Sequence, residues 1–313
     1  GFRILMFTVT LGGIFILSTL IGILSSAIDE KLQELRKGRS FVVEENHQLI
    51  LGWNSKIFTI IEELAIANEN QKRPRIVVMA QEDKTKMEDE IREKCLNLGI
   101  TKVICRSGDP NDIVDLSIVN LNEAKSIVVL TSETVPNADA QIIKTLMAIV
   151  NHPNRTKKPF HIVAEIREPK NILLGQIVAK DEVKLILTDE LISRIMVQTC
   201  RQSGLSVVYN EITGFLGDEI YIIEEPEIVG EQFSDILFKY EDSSILGVSF
   251  LDGKIQLNPP MDLFIDKGMK LVGLTRDDDT LIMNAATAII NENAIVSIKE
   301  EKPKIEKTLI LSW

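Results

Sequence analysis

The sequence predicts an α/β protein built from one long apolar helix, a doubly wound parallel sheet of about six strands, and a smaller α+β lobe. Three observations predict it. The stretch Ile4–Ile28, ILMFTVTLGGIFILSTLIGILSSAI, runs for 25 residues without a charge. From residue 47 onward, short apolar runs alternate with amphipathic stretches, the rhythm of a parallel sheet covered by helices on both faces. Beyond Gly204 the pattern changes to short strands joined by turns.

The apolar run comes first. At about 1.5 Å of rise per residue it can cross the roughly 30 Å hydrocarbon core of a bilayer with some tilt. It exceeds the apolar core of a signal peptide, and Leu24-Ser25-Ser26-Ala27 leads into a charged stretch with no cleavage break. Residues 1–28 are therefore predicted to be a transmembrane helix. Lys31, Arg36, Lys37 and Arg39 follow it and only Arg3 precedes it, so the positive-inside rule places the C-terminal side in the cytosol. Gly12-Gly13 sits mid-span, where two residues without Cβ suit either close packing or, in a pore-lining helix, a gating hinge. Residues 29–46 read as a cytosolic helical connector. Its segment DEKLQELRKGR is rich in helix formers, pairs Glu34 with Lys37, and ends at Gly38.

Residues 47–203 form the predicted Rossmann-like lobe. Its strands are expected at Gln48–Leu51, Arg75–Ala80, Lys102–Cys105, Ser126–Thr131, His161–Glu165 and Lys184–Leu187. Helices are expected at Lys56–Glu69, Lys84–Asn97, Asn111–Val119, Ala138–Val150, Lys170–Ala179 and Asp189–Gln202, with Asp189 as an N-cap and Gly204 as a stop. Ligands of such folds sit beyond the carboxyl ends of the strands, where strand order reverses. The first strand ends in Gly52-Trp53-Asn54, without the G-x-G-x-x-G fingerprint that admits a pyrophosphate, which argues against a nucleotide. Trp53 suits packing better than base stacking. The second strand ends in Gln81-Glu82-Asp83, an acidic pair placed to meet a ribose or to cap the next helix. The third ends in Arg106-Ser107-Gly108-Asp109-Pro110, a turn in which Gly108 is expected to take an unusual backbone angle and Pro110 to start a helix. Gly52, Trp53, Asn54, Glu82, Asp83, Arg106, Gly108 and Asp109 are the candidate strand-end pocket.

Residues 204–290 form the smaller lobe, with strands expected at Glu219–Ile223, Ile245–Phe250, Lys254–Leu257 and Met269–Leu274. Asp252-Gly253 signals a hairpin. The closing turn gathers Asp277, Asp278 and Asp279, oxygen ligands of the kind hard cations take, although the spacing is not that of an EF-hand and a solvated acidic turn has the same composition. Residues 291–306 turn polar and charged and read as a linker. The chain then repeats at Leu309–Trp313 (LILSW) the signature of Leu49–Trp53 (LILGW), which reads as the first strand, 307–313, of a second unit.

The formal net charge of −11 argues against a nucleic-acid binder. Cys95, Cys105 and Cys200 are odd in number and widely spaced, as in a reducing compartment, and with His47, His152 and His161 they form no zinc pattern. No histidine or cysteine stands at a strand end in a catalytic arrangement, which argues against an enzyme.

This layout resembles that of regulator-of-K+-conductance (RCK) domains behind a channel pore. More narrowly, Glu30-Lys31, Leu35–Ser40 (LRKGRS), Glu45–His47 (ENH), Leu49–Trp53, Glu63–Glu69 (ELAIANE), Val103–Gly108 (VICRSG), Asn258-Pro259 and Asp277–Thr280 (DDDT) are similar to the CASTOR and POLLUX type of cation channel. The resemblance implies tandem RCK units per subunit, a homotetramer whose inner helices line a pore for permeant cations, and a gating ring regulated by Ca2+. A selective pore would also need a filter sequence and further spans. The alternatives are a membrane-anchored, nucleotide-sensing regulatory subunit of a K+ transporter and, behind it, a Rossmann-fold enzyme.

Overall fold

A computed structural model describes residues 1–36, 38–131, 135–277, 280–284, 294 and 296. Asp278, Asp279, the predicted linker 291–306 apart from Ala294 and Val296, and the predicted strand 307–313 lie outside the described residues. The chain divides into two compact units, Gly1–Leu216 and a second beginning at Gly217.

The first unit opens with α1, Phe2–Arg36, a single helix of 35 residues. The hydroxyls of Thr8, Thr10 and Thr19 donate to the carbonyls of Ile4, Met6 and Phe15 at 2.8 to 2.9 Å, so these polar groups are tied back inside an apolar segment. The helix continues through Gly12-Gly13 to Arg36, so only the first part of the predicted connector 29–46 is helical, and Gly38 beyond it takes φ 69. Val42 is then fully buried, its amide donating to the Ile118 carbonyl at 2.8 Å.

The alternation follows: β1 (His47–Leu51), α2 (Lys56–Ala67), β2 (Arg75–Ala80), α3 (Lys84–Lys94), β3 (Lys102–Ser107), α4 (Ile113–Leu116), β4 (Ala124–Val129), α5 (Ala138–Val150), β5 (Ile162–Ile166), α6 (Ile172–Ala179), β6 (Val183–Leu187), α7 (Thr188–Arg201) and α8 (Leu205–Thr213). The sheet order is β3-β2-β1-β4-β5-β6 and every pairing is parallel. Alternation along β1 sends Leu49 and Leu51 into one core with Ile142 and Leu146 of α5, and Ile50 into the other with Ile57 and Ile61 of α2. Both faces are thereby covered, and order reverses between β1 and β4, opening a crevice at their carboxyl ends.

Several local expectations need correction. The segment expected as a helix from Asn111 to Val119 starts only at Ile113, where Asp112 caps it by accepting from the Val114 amide, and after the four-residue α4 it tightens into 3-10 turns that end at Asn120, whose φ of 52 is left-handed. Pro110 therefore lies in the turn before the helix rather than in its first position. Helix α3 stops at Lys94, short of Asn97. Helix α7 begins at Thr188, so Asp189 lies in its first turn, favourable to the helix dipole, instead of at the N-cap. Gly204, at φ 88, separates α7 from α8, a helix rich in β-branched residues where only short strands and turns were expected.

The second unit holds an antiparallel sheet of order β7-β10-β8-β9, with β7 (Glu219–Ile223), β8 (Ser244–Ser249), β9 (Ile255–Leu257) and β10 (Lys270–Thr275). Ile228, Tyr240, Val248 and Leu271 pack against Phe233 and Ile236 of the short α9 (Phe233–Ile236). The predicted hairpin is present: Gly253 takes φ 79, and the Phe250 amide donates to the Lys254 carbonyl at 2.8 Å.

Candidate functional site

The crevice is a cleft of about 490 Å³. One wall is Gly52 and Trp53 after β1, the next Ala80, Gln81 and Glu82 at and beyond the end of β2, and the rim is Asp109, Pro110 and Asn111 after β3. Leu130 and Thr131 after β4, with Gln141, Lys144 and Thr145 of α5, close it. Gly52 makes the crossing between β1 and β4 possible. Its amide donates to the Met79 carbonyl at 2.8 Å, its φ is 106, and a Cβ there would lie 2.0 Å from the Leu130 carbonyl oxygen. Trp53 meets Phe58 edge-to-face with centroids 5.6 Å apart and packs on the α2 side of the core, so its indole is a fixed wall.

Polar groups dominate the interior. Glu82 pairs with Lys86 at 2.9 Å across the outer rim. The Asp109 carboxylate accepts from the Asn111 amide at 2.8 Å and from its side-chain nitrogen at 3.0 Å. That nitrogen also reaches the Gln141 Oε1 at 3.2 Å, while the Asn111 Oδ1 accepts from the Thr145 hydroxyl at 3.1 Å. The cleft thus offers two carboxylates, one ammonium and a set of amides and hydroxyls, a lining suited to a polar ligand of modest size.

A family model described as Castor and Pollux, part of voltage-gated ion channel, matches residues 189–291. A second, the calcium-activated potassium channel slowpoke-like RCK domain, matches 43–173. The probable ion channel CASTOR of Oryza sativa is 35% identical over 283 residues, covering 90% of this chain and 32% of that protein. The probable ion channel POLLUX of Arabidopsis thaliana is 35% identical over 282 residues, covering 90% and 34%. The chain is a sequence relative of the CASTOR and POLLUX ion channels. It spans about a third of the length of the curated relatives it matches. The human SLO3 gating ring shares the fold, with a TM-score of 0.52 at 15% identity over 75% of this chain and 45% of that one.

Against that RCK-type frame, the structure brings Gly52, Trp53, Glu82 and Asp109 together in the cleft and leaves the other four candidates outside its lining. Asn54 is buried and holds the β1–α2 loop, donating to the Thr131 carbonyl at 2.9 Å and accepting from the Lys56 amide at 3.0 Å. Asp83 is the N-cap of α3, accepting from the Thr85 and Lys86 amides. Arg106 points to the connector, where its Nε donates to the Ser40 carbonyl at 2.6 Å. Gly108 has no positive φ, contrary to the expectation. A Cβ there would crowd Met79 and Asp115 at 3.1 to 3.2 Å, so close packing is what asks for glycine.

The sequence reading missed the α5 wall. Gln141, Lys144 and Thr145 are spaced i, i+3, i+4, a polar stripe on a helix otherwise read for its apolar face, and that spacing was the available signal. It also missed Glu165, whose buried carboxylate takes Lys56 at 2.6 Å and the Thr188 hydroxyl at 2.9 Å on one oxygen.

Of the acidic turn, Asp277 is described: its amide donates to the Thr280 hydroxyl at 3.0 Å, and its carbonyl accepts from that hydroxyl at 2.7 Å. The hydroxyls of Ser243, Thr275 and Thr280 are linked, Ser243 donating to Thr275 at 2.9 Å and Thr275 lying 2.7 Å from Thr280. Among the described residues no group of three or more His, Cys, Asp or Glu side chains is arranged to hold a metal ion. Cys95, Cys105 and His47 are buried. Burial pushes the Cys95 thiol up to about 11 and Cys105 up to about 12, and Cys200 is exposed. Burial likewise lowers the pKa of His47, whose Nε2 lies 3.1 Å from the Val119 carbonyl.

Proposed function

We propose that this chain is the inner-helix and cytosolic sensing portion of a homotetrameric cation channel regulated by Ca2+, and not an enzyme. The observation that carries the reading is α1. Its Phe2–Ser26 portion is long and apolar enough to cross a membrane, the same helix runs on to Arg36, and Gly38 just beyond it accepts from the Ser107 amide at the end of β3. A mere anchor needs apolar length only. A stiff helix continuous with a sensing body also carries force, which suits a pore-lining inner helix with Gly12-Gly13 as its hinge. The curated relatives are named ion channels, and the positive flank Lys31, Arg36, Lys37 and Arg39 fits a cytosolic body.

Assembly into a ring accounts for apolar surface that a lone subunit leaves open. Leu173 and Ile177 of α6, Leu191, Met196 and Val197 of α7 and Val207 of α8 are all exposed, each by half or more. An ion bound by the ring opens the pore only as far as it prefers the open ring to the closed one. Asp277, Asp278 and Asp279 are the proposed Ca2+ ligands by their chemistry. Tandem RCK units, with a second one beginning at 307–313, complete the ring in this reading.

The cleft favours a second reading, a nucleotide-sensing regulatory subunit of a K+ transporter, because it lies at the switch point with Glu82 after β2. Titration calorimetry and thermal melting of the purified chain with Ca2+ and with NADH separate the two. Heat and stabilisation with Ca2+ alone support the channel reading, and a response to NADH alone supports the second. Replacing Asp277, Asp278 and Asp279 with Asn abolishes the Ca2+ response if they hold the ion, and an unchanged response removes them from the site.

A further inference from the structure

A continuous set of contacts runs from the cleft to the residues that follow α1. On the cleft side, Asp109 and Asn111 form the rim, and Asn111 is held by Gln141 and Thr145. The Asp109 amide donates to the Asp115 Oδ2 at 2.9 Å. The other oxygen of Asp115 accepts from the Arg39 guanidinium, which belongs to the connector. Asp115 is 8% exposed at its side chain and Arg39 58%, so the carboxylate is the fixed member and the arginine reaches in from outside.

Two further bonds lie alongside. The Ser107 amide donates to the Gly38 carbonyl at 3.2 Å, and the Arg106 Nε to the Ser40 carbonyl at 2.6 Å. Gly38 itself is wedged, since a Cβ there would stand 2.8 Å from the Lys84 Cβ and 3.1 Å from the Ser107 nitrogen. The connector is therefore seated directly on the loop that forms the cleft's rim.

We propose that Asp115 is a two-sided clamp that couples the state of the cleft to the connector, and through it to α1. Each oxygen serves one side. A buried carboxylate that loses one partner is left short of hydrogen bonds, so the two sides prefer to be made or broken together. Coupling of this kind is reciprocal: what loosens Arg39 loosens the Asp109 rim, and what displaces the rim loosens the connector. Its effect on a pore rests on the channel reading given above, whereas the clamp itself does not.

Hydrogen exchange of the purified whole chain in detergent, followed by mass spectrometry, tests the clamp without any ligand. Arg39→Gln perturbs the connector side, and Gln141→Trp perturbs the cleft by crowding Asn111. Asn111→Ala serves as a milder cleft variant if the tryptophan unfolds the protein, and a melting curve checks each. The expected result is that Arg39→Gln speeds exchange at the Asp109 amide by about two- to fivefold, although Arg39 does not touch that residue. The cleft variant likewise speeds exchange at the Val42 amide. In an Asp115→Asn background, which keeps the shape but offers a donor where one side needs an acceptor, each perturbation stays on its own side. Perturbations confined to their own side in the wild type, or transmission that persists in Asp115→Asn, would overturn the proposal. Because neither ion nor nucleotide is added, such a failure counts against the clamp alone, while silence to Ca2+ counts against the channel reading.

Discussion

Replacing Gly52 with alanine perturbs the crossing that frames the cleft, and its cost can be worked from the geometry. At φ 106 an alanine sits in a backbone region that carries about 1–3 kcal/mol of strain. Its Cβ would stand 2.0 Å from the Leu130 carbonyl oxygen and 2.8 Å from the carbonyl carbon, well inside any contact a real Cβ makes. The ends of β1 and β4 must then separate by about 1 Å or more. That separation weakens the 2.7 Å bond from the Leu130 amide to the Leu51 carbonyl, worth about 1 kcal/mol. The sum is about 2–4 kcal/mol. Gly99→Ala is the control, since Gly99 also has positive φ but an added Cβ there meets nothing within 4 Å, so it carries strain alone. Urea denaturation followed by Trp53 fluorescence in a Trp313→Phe background reads this unit, because those are the chain's two tryptophans. The midpoint should fall well below that of the Gly99 control. A Gly52→Ala loss under about 0.5 kcal/mol, or one equal to the control, would refute the close-approach argument.

The remaining predictions concern buried carboxylates. Burial pushes the Asp139 carboxyl up, but hydrogen bonds from the Asn171 side chain and the Arg167 and Glu168 amides outweigh it and hold the group below its ordinary value. The unfolded chain then binds the proton more readily, so this contribution is complete above the unfolded value of about 3.9 and is lost as pH falls through the lower native one. Melting curves across acid pH should show that decline in the wild type, and Asp139→Asn should lower stability at neutral pH while flattening the acid dependence. Lys56→Met should cost about 1–3 kcal/mol by stripping an ion-pair partner from buried Glu165, and adding Glu165→Met should recover part of the loss. Additive losses in the double variant would show that the pair is not coupled.

Order and kind of element were legible where a single period ruled. The parallel strands announced themselves as short apolar runs, and Gly253 and Gly204 marked turns because their chemistry is local. The cleft was half legible. Gly52, Trp53, Glu82 and Asp109 follow from strand ends alone, but Gln141, Lys144 and Thr145 enter it only because α5 packs across from β1, a relation set by topology. Asp83 and Asn54 look like ligands in a sequence because the side chains that cap helices and hold turns are the ones that bind ligands. The two-sided role of Asp115 had no local signal at all, since its partners lie 76 and 6 residues away in the chain.

A pore-lining α1 joined to a sensing body would present one face to water. The direct measurement is a scan of single cysteines from Phe7 to Leu24 in membranes carrying the protein, in a Cys200→Ser background, probed with a water-soluble thiol reagent. Modification confined to one face, recurring every three to four positions and changing in rate when Ca2+ is added, is the result predicted. Uniform protection at every position would contradict it and return α1 to the role of an anchor.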